Sequence, residues 1–180
     1  IRKSPDAVGD WLIREILSKV DEVARTEVLS RYDTMQLILS FCQHPNFDWI
    51  MDDVCDEIGH PPDYFRFPIE TIFDKRGDCD CTALMAFMIF KLAGIPSAYL
   101  LMMGEGGGKH AAIAIGNVPD SEAGAINGLI TIRGKNYYFC ETVGTDWKVG
   151  VLPEAYAERL RMFETEMTAH PEKVIVSEDF

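Results

Sequence analysis

The spacing of hydrophobic residues changes near residue 95, from helical spacing to the alternation of strands. Residues 6–29 carry apolar side chains at helical spacing with charged residues between them, which predicts an amphipathic surface helix broken at most once. A second helix is predicted from a cap at Asp33 through the run TMQLILSFCQ, and a third helical piece over residues 47–58.

The most apolar of the helical patterns follows Arg76-Gly77-Asp78 directly. Asp78 is a residue type that caps helices, and a dozen mostly apolar residues closed by Gly94 predict a short helix buried nearly all round. Cys79 then lies in the first turn, where unpaired backbone N–H groups and the helix dipole favour a thiolate. The pattern therefore predicts a nucleophilic cysteine at the start of a rigid, buried helix.

Strand patterns dominate after Gly94-Ile95-Pro96. Four runs have strand character, namely SAYLLMMG, HAAIAIG, GLITIRG and NYYFCET, after which VLPEAYAERLRMF returns to helical spacing. Helices followed by an antiparallel sheet make an α+β fold. We expect one domain over residues 1–180, with a helical part at about 1–94, a sheet part at about 95–153 and a C-terminal helix and tail at 154–180.

The composition is that of a globular protein with a strong excess of acidic residues. The net charge of −12 argues against a nucleic-acid partner and against binding of this fragment to an anionic membrane surface.

No apolar run reaches the length of a membrane span, and no signal peptide is visible. Because the first residue is Ile1, we expect a piece of a longer chain, and both a membrane anchor ahead of it and export are compatible with the sequence. Five cysteines, an odd number, do not suggest a disulfide scaffold.

A nucleophilic cysteine needs a base, and the base needs an acceptor that orients it. His110 is the histidine that opens a strand, and it shares a strand face with Ala112 and Ala114, where the small side chains leave room for the Cys79 helix. Glu141 ends an apolar strand, and a hydrogen bond to the second nitrogen of His110 would satisfy its carboxylate. These residues form a candidate triad.

Each member of this set also has a structural interpretation. Cys79 alone could be a buried thiol, His110 a core or rim histidine, and Glu141 a solvated strand end. The three residues together, with the capped helix start, favour the catalytic interpretation.

Several short motifs, in order, resemble the transglutaminase-like superfamily of papain-type folds, and more narrowly a microbial branch of transglutaminase-like cysteine proteases. The motifs are Phe41-Cys42-Gln43, Phe67-Pro68-Ile69-Glu70-Thr71, Gly77-Asp78-Cys79-Asp80, Ala93-Gly94-Ile95-Pro96, Lys109-His110-Ala111, Tyr137-Tyr138-Phe139-Cys140-Glu141-Thr142 and Val149-Gly150-Val151-Leu152-Pro153. They cover roughly residues 33–153.

The resemblance implies that Cys79 is the nucleophile, His110 the base and Glu141 the third member, where many relatives have Asp. By analogy with papain-type glutamines, Gln43 is a candidate oxyanion donor beside the Cys79 backbone N–H. Asp78 and Asp80 flank the nucleophile. The branch commonly has another Asp where this chain has Cys81, and a thiol there could oxidise with Cys79 or join it in holding a metal.

The predicted function is thiol-dependent acyl transfer on a protein or peptide substrate, with hydrolysis of a peptide or isopeptide bond favoured and no cofactor or metal expected. Calcium-dependent crosslinking is less favoured, because no acidic loop has calcium-site spacing. Two alternatives stay open. One is a module of the same fold that binds partners without catalysis, and the other is a zinc site of Cys79, Cys81 and His110 with Cys140 or Glu141.

Overall fold

Three layers of secondary structure make up the part of the chain that the computed structural model describes, residues 6–43, 46–49, 64–103, 108–119, 127–170 and 175–176. The helices are α1 (Asp6–Thr26), α2 (Arg31–Cys42), α3 (Pro68–Asp74), α4 (Cys79–Leu92) and α5 (Ala157–Ala169), with a 3₁₀ turn at Glu154–Tyr156 before α5. The strands are β1 (Asp48–Trp49), β2 (Arg76–Gly77), β3 (Ser97–Met103), β4 (Lys109–Gly116), β5 (Leu129–Ile132), β6 (Lys135–Cys140) and β7 (Ile175–Val176). Among these described residues, no helix is both long and apolar enough to cross a membrane.

The main sheet runs in the order β5-β6-β4-β3-β7, and each neighbouring pair is antiparallel. β4 is therefore the middle strand of the described sheet and pairs along both edges. Helices precede this sheet in the chain, so the α+β class predicted from the sequence is confirmed.

Both faces of the sheet are buried. Helix α4 packs on one face and is itself covered by α1 and α2, and these helices share a hydrophobic core with Ala111, Ile113 and Ile115 of β4. The other face packs against α5, and Ala112 and Ala114 lie there. The expectation that these two alanines face the Cys79 helix is wrong, because the alternation along β4 places α4 on the odd-numbered side chains.

Two local predictions also need correction. Helix α2 begins at Arg31, and its N-cap is Ser30, whose hydroxyl accepts the Asp33 N–H at 3.1 Å. Asp33 lies instead in the first turn, where the helix dipole favours a carboxylate. Asp48 and Trp49 form a short parallel pair with Arg76 and Gly77 rather than a helix; the rest of the helix predicted over 47–58 lies outside the described residues.

Gly77 allows an unusually close approach between β2 and α4. A Cβ atom at this position would lie 2.6 Å from Cys81 Cβ, closer than side-chain carbons come in proteins. The obstacle is a helix-anchored Cβ, which cannot rotate away. Glycine at position 77 therefore sets how closely the β2 segment approaches the start of the Cys79 helix.

We expect Gly77→Ala to lower the free energy of unfolding by about 1–3 kcal/mol, as overpacking of a close contact does. Urea denaturation measures the change. Gly108→Ala is the matched control, because its added Cβ would come no closer than 3.4 Å, to the flexible Arg159 guanidinium. Equal unfolding midpoints for the two variants would contradict the close approach at Gly77.

Candidate active site

The nucleophile candidate is placed by a capped helix start. Asp78 is the N-cap of α4, and its carboxylate accepts the Cys81 N–H at 3.4 Å. Cys79 is thus the first helical residue, as predicted, and its side chain is half-buried. The first N–H groups of a helix have no partner inside it, so they are available to a negative charge at this point.

The register of the sheet brings His110 and Glu141 together. Ile113 pairs with Cys140, so continuing the antiparallel register sets Glu141 opposite Ala112 and makes His110 its diagonal neighbour on the same face. His110 Nε2 lies 2.9 Å from Glu141 Oε2. His110 is 6% exposed and Glu141 is 1% exposed, which shields this bond from solvent.

His110 also reaches the thiol. Cys79 is close enough to His110 to raise the pKa of the imidazole together with Glu141. Since Nε2 is engaged with Glu141, Nδ1 is the ring nitrogen left to face the sulfur. Burial alone would lower the pKa of His110, but the hydrogen bonds with Cys79 and Glu141 and the charges of these two groups outweigh burial and raise the pKa from 6.5 to about 9. The direction of this shift favours the charged form of the imidazole at neutral pH.

The second carboxylate oxygen of Glu141 is also satisfied. Oε1 accepts the Val143 N–H at 2.8 Å. A carboxylate held on both oxygens in a buried place has a fixed orientation, and here that orientation aims Oε2 at the imidazole. Glu141 therefore has the contacts of an orienting acid rather than those of a solvated strand end.

A hydroxyl pair ties the Cys79 helix to the acid. Thr82 Oγ1 and Thr142 Oγ1 lie 3.1 Å apart, and both residues are buried. Thr82 is one turn after Cys79 on α4, and Thr142 directly follows Glu141. This contact fixes the nucleophile and the acid relative to each other across the layer boundary.

Gln43, the predicted oxyanion donor, bonds backbone oxygens after the end of β6. Its amide Nε2 donates to the backbone oxygens of Glu141, at 2.9 Å, and of Trp147, at 3.1 Å. The two amide protons are thereby used, and the side chain is 1% exposed. In this structure Gln43 holds the loop after β6, and its role as an oxyanion donor stays a prediction.

Gln36 of α2 holds the same loop as Gln43 does. Its Nε2 donates to Trp147 O at 3.0 Å, and its Oε1 accepts the Val149 N–H at 3.0 Å. The sequence analysis did not identify Gln36. Its helical spacing from Gln43, seven residues, was the available signal, because it sets both amides on one side of α2.

Cys81 lies on the side of α4 away from the reactive centre. Its sulfur is fully buried, accepts the Arg66 N–H at 3.4 Å, and has a pKa raised by burial in spite of that bond. Residues two apart on a helix do not face each other. The structure therefore gives no support to a disulfide between Cys79 and Cys81.

In the described part of the chain, no cluster of metal-ligating side chains matches the predicted zinc alternative. The group there with donor atoms close enough to share a metal ion consists of Asp78, Asp80 and Cys81. It contains neither Cys79 nor His110. Cys140 is buried, and its thiol contacts the Tyr138 carbonyl at 3.6 Å.

An aromatic neighbour of His110 was not anticipated. The ring of Tyr156 stacks on the imidazole, with centroids 4.2 Å apart and an interplanar angle of 18°. Tyr156 is the last residue of the 3₁₀ turn before α5. The sequence pattern predicted a helix there but held no signal for which residue would contact the imidazole.

No protein-family model matches the sequence, and comparison with curated proteins finds no match. Among solved structures, LapG of Legionella pneumophila in EGTA-treated form is 17% identical, with a TM-score of 0.41 over 69% of this chain and 57% of that chain. The calcium-bound form of LapG is 14% identical, with a TM-score of 0.37 over 79% and 78%. A Cytophaga hutchinsonii protein with the provisional name of cysteine protease is 12% identical, with a TM-score of 0.40 over 68% and 37%.

The raised pKa of His110 predicts a pH-dependent stability. A group whose pKa is raised on folding stabilises the folded state fully below its unfolded value, near 6.5, and loses this contribution as the pH rises through about 9. We expect the stability advantage of the wild type over His110→Gln to shrink across this window in urea denaturation. His170→Gln, at the exposed end of α5, is the control for replacing a histidine outside the site. A wild-type advantage independent of pH would contradict the pairing.

The Gln43→Met variant distinguishes a structural role of Gln43, in holding the loop after β6, from a role as an oxyanion donor. We expect the free energy of unfolding to fall by about 1–3 kcal/mol, because the Glu141 carbonyl loses its Gln43 donor and the Trp147 carbonyl keeps only the bond from Gln36. Alkylation of Cys79 by iodoacetamide should also slow, since the Glu141 backbone loses one of the bonds that fix it and alkylation involves no oxyanion. Gln36→Met is the comparison, because it touches the same loop without touching Glu141. Normal stability and normal alkylation, with loss of amide hydrolysis alone, would favour the oxyanion role.

Proposed function

We propose that this chain is a cysteine-dependent amide hydrolase that acts on peptide or isopeptide bonds through Cys79, His110 and Glu141. The observation that carries the proposal is the buried bond of 2.9 Å between His110 and Glu141, beside a helix-start thiol that raises the pKa of the same imidazole. The sequence motifs around the same three residues resemble transglutaminase-like cysteine proteases, and they support the same assignment.

The reaction begins with an ion pair. His110 takes the proton of Cys79, and the thiolate attacks the carbonyl carbon of the amide to form a tetrahedral oxyanion. The N–H groups at the start of α4, that of Cys79 among them, are the donors nearest to this charge. His110 then gives its proton to the leaving amine, and a thioester remains on Cys79.

The second half-reaction releases the acyl group. Water, deprotonated by His110, attacks the thioester carbon, and the thiolate leaves as the carboxylic acid product forms. An amine in place of water would give a crosslink by the same steps. Hydrolysis is favoured here because the microbial branch that the motifs resemble is a protease branch.

Alkylation by iodoacetamide at controlled pH tests the ion pair. We expect Cys79 to react fast well below pH 8 in the wild type, and this reaction to slow by roughly 10² in His110→Ala, on the scale of a positioned base. Glu141→Gln should give an intermediate rate, because the imidazolium loses its counter-charge. Mass spectrometry locates the label.

The protein carries its own controls for this experiment. Cys42, Cys81 and Cys140 are buried thiols whose pKa is raised by burial, and they should remain unlabelled in the folded state. Hydrolysis of a peptide library by the wild type, and its loss in Cys79→Ala, completes the test. A Cys79 that reacts no faster than an ordinary thiol would remove the basis of the proposed function.

A further inference from the structure

Tyr156 covers one face of the His110 imidazole. The rings are nearly parallel, 18° apart, and their centroids are separated by 4.2 Å, which is stacking distance. The ring nitrogens of an imidazole form hydrogen bonds in the plane of the ring, and Nε2 of His110 bonds Glu141 in this way. In-plane bonds do not prevent the ring from tilting out of that plane, whereas a stacked neighbour does.

The Tyr156 ring is carried by a firmly held segment. Tyr156 closes the 3₁₀ turn by donating its N–H to Pro153 O at 2.9 Å. Just before this turn, Asn127 bonds the backbone of Leu152 on both sides, accepting its N–H at 2.8 Å and donating to its carbonyl at 3.0 Å. After the turn, Leu160 anchors α5 in the core on the His110 face of the sheet.

Groups that can carry negative charge lie at the edge of the imidazole, and one cation, Arg159, lies against the stacked Tyr156 ring. Glu141 approaches His110 from the end of β6 and Cys79 from the start of α4, so two groups that can carry negative charge lie at its edge. Lys109 precedes His110 and projects to the opposite side of the strand. The guanidinium of Arg159 lies against the Tyr156 ring, with its central carbon 5.9 Å from the centroid.

We propose that Tyr156 is a positioning residue that holds the His110 imidazolium in the plane shared by Glu141 and Cys79. This inference rests on the proposed function and adds to it a fourth side chain, from a separate element. The face of an aromatic ring also attracts a cation, so the stack favours the charged form of His110 over the neutral one. Both effects stabilise the thiolate–imidazolium pair.

The test compares, in the full chain, a variant that retains an aromatic ring at position 156 with ringless variants, in which that ring is removed. Tyr156→Phe retains the stacking face, while Tyr156→Leu and Tyr156→Gln remove it with apolar and polar replacements. Phe163→Leu is the matched control, because Phe163 packs from α5 against the same core cluster. Cys79 alkylation by iodoacetamide is followed from pH 5 to 10, and the His110 imidazole is titrated by NMR. Thermal unfolding establishes that each variant is folded at the temperature used.

For both ringless variants we expect the rise of Cys79 alkylation to move to higher pH by roughly half a unit to one unit, and the His110 titration to move to lower pH by a similar amount. Alkylation at pH 6.5 should fall about tenfold, since the imidazole spends less time aligned. Tyr156→Phe and Phe163→Leu should follow the wild-type profiles. A loss of helix docking alone would change stability without moving these titrations.

The remaining outcomes distinguish a failure of the positioning role of Tyr156 from a failure of the proposed function. If the wild type has the fast low-pH alkylation and the ringless variants keep it, the positioning role is overturned and the proposed function stands. If Phe163→Leu shifts the profiles as much as Tyr156→Leu does, the effect belongs to α5 as a whole and the positioning role is again overturned. If the wild type lacks the fast reaction, the proposed function fails, and the role of Tyr156 fails with it.

Discussion

The burial of the Glu141 carboxylate is the constraint on which the rest of the site depends. An ionised carboxylate removed from water is strongly unfavourable unless hydrogen bonds replace its hydration. Here His110 Nε2 and the Val143 N–H supply those bonds, and Gln43 fixes the backbone carbonyl of the same residue. The geometry needed to keep this acid buried is therefore the geometry that orients the imidazole.

Four separate parts of the chain meet at this point, and each is held by contacts outside the reactive atoms. The cap at Asp78 fixes the first turn of α4, and the Thr82–Thr142 hydroxyl pair ties that helix to the loop carrying Glu141. Glutamines of α2 hold the same loop from the other side, while the turn before α5 brings Tyr156 over the imidazole. Helix, strand and loop are thus fixed independently of a substrate.

Features encoded by local pattern could be predicted from the sequence, and features set by distant contacts could not. The α4 start at Cys79 with its Asp78 cap, and the strands that carry His110 and lead to Glu141, follow from spacing over a few residues. The face of β4 that meets α4 depends on the docking of whole layers, which alternation alone does not specify. Gln43 bonds a carbonyl 98 positions away, and no short-range pattern distinguishes that role from an oxyanion donor.

The position of β4 in the sheet has a consequence for how the site is lost. His110 pairs with Met102 of β3, and from Ile113 onward β4 also pairs with β6, the strand that leads to Glu141. Fraying of the chain ends or of edge strands leaves β4 in place. Because β4 and β6 pair with each other, we expect His110 and Glu141 to be displaced together when this part of the sheet opens.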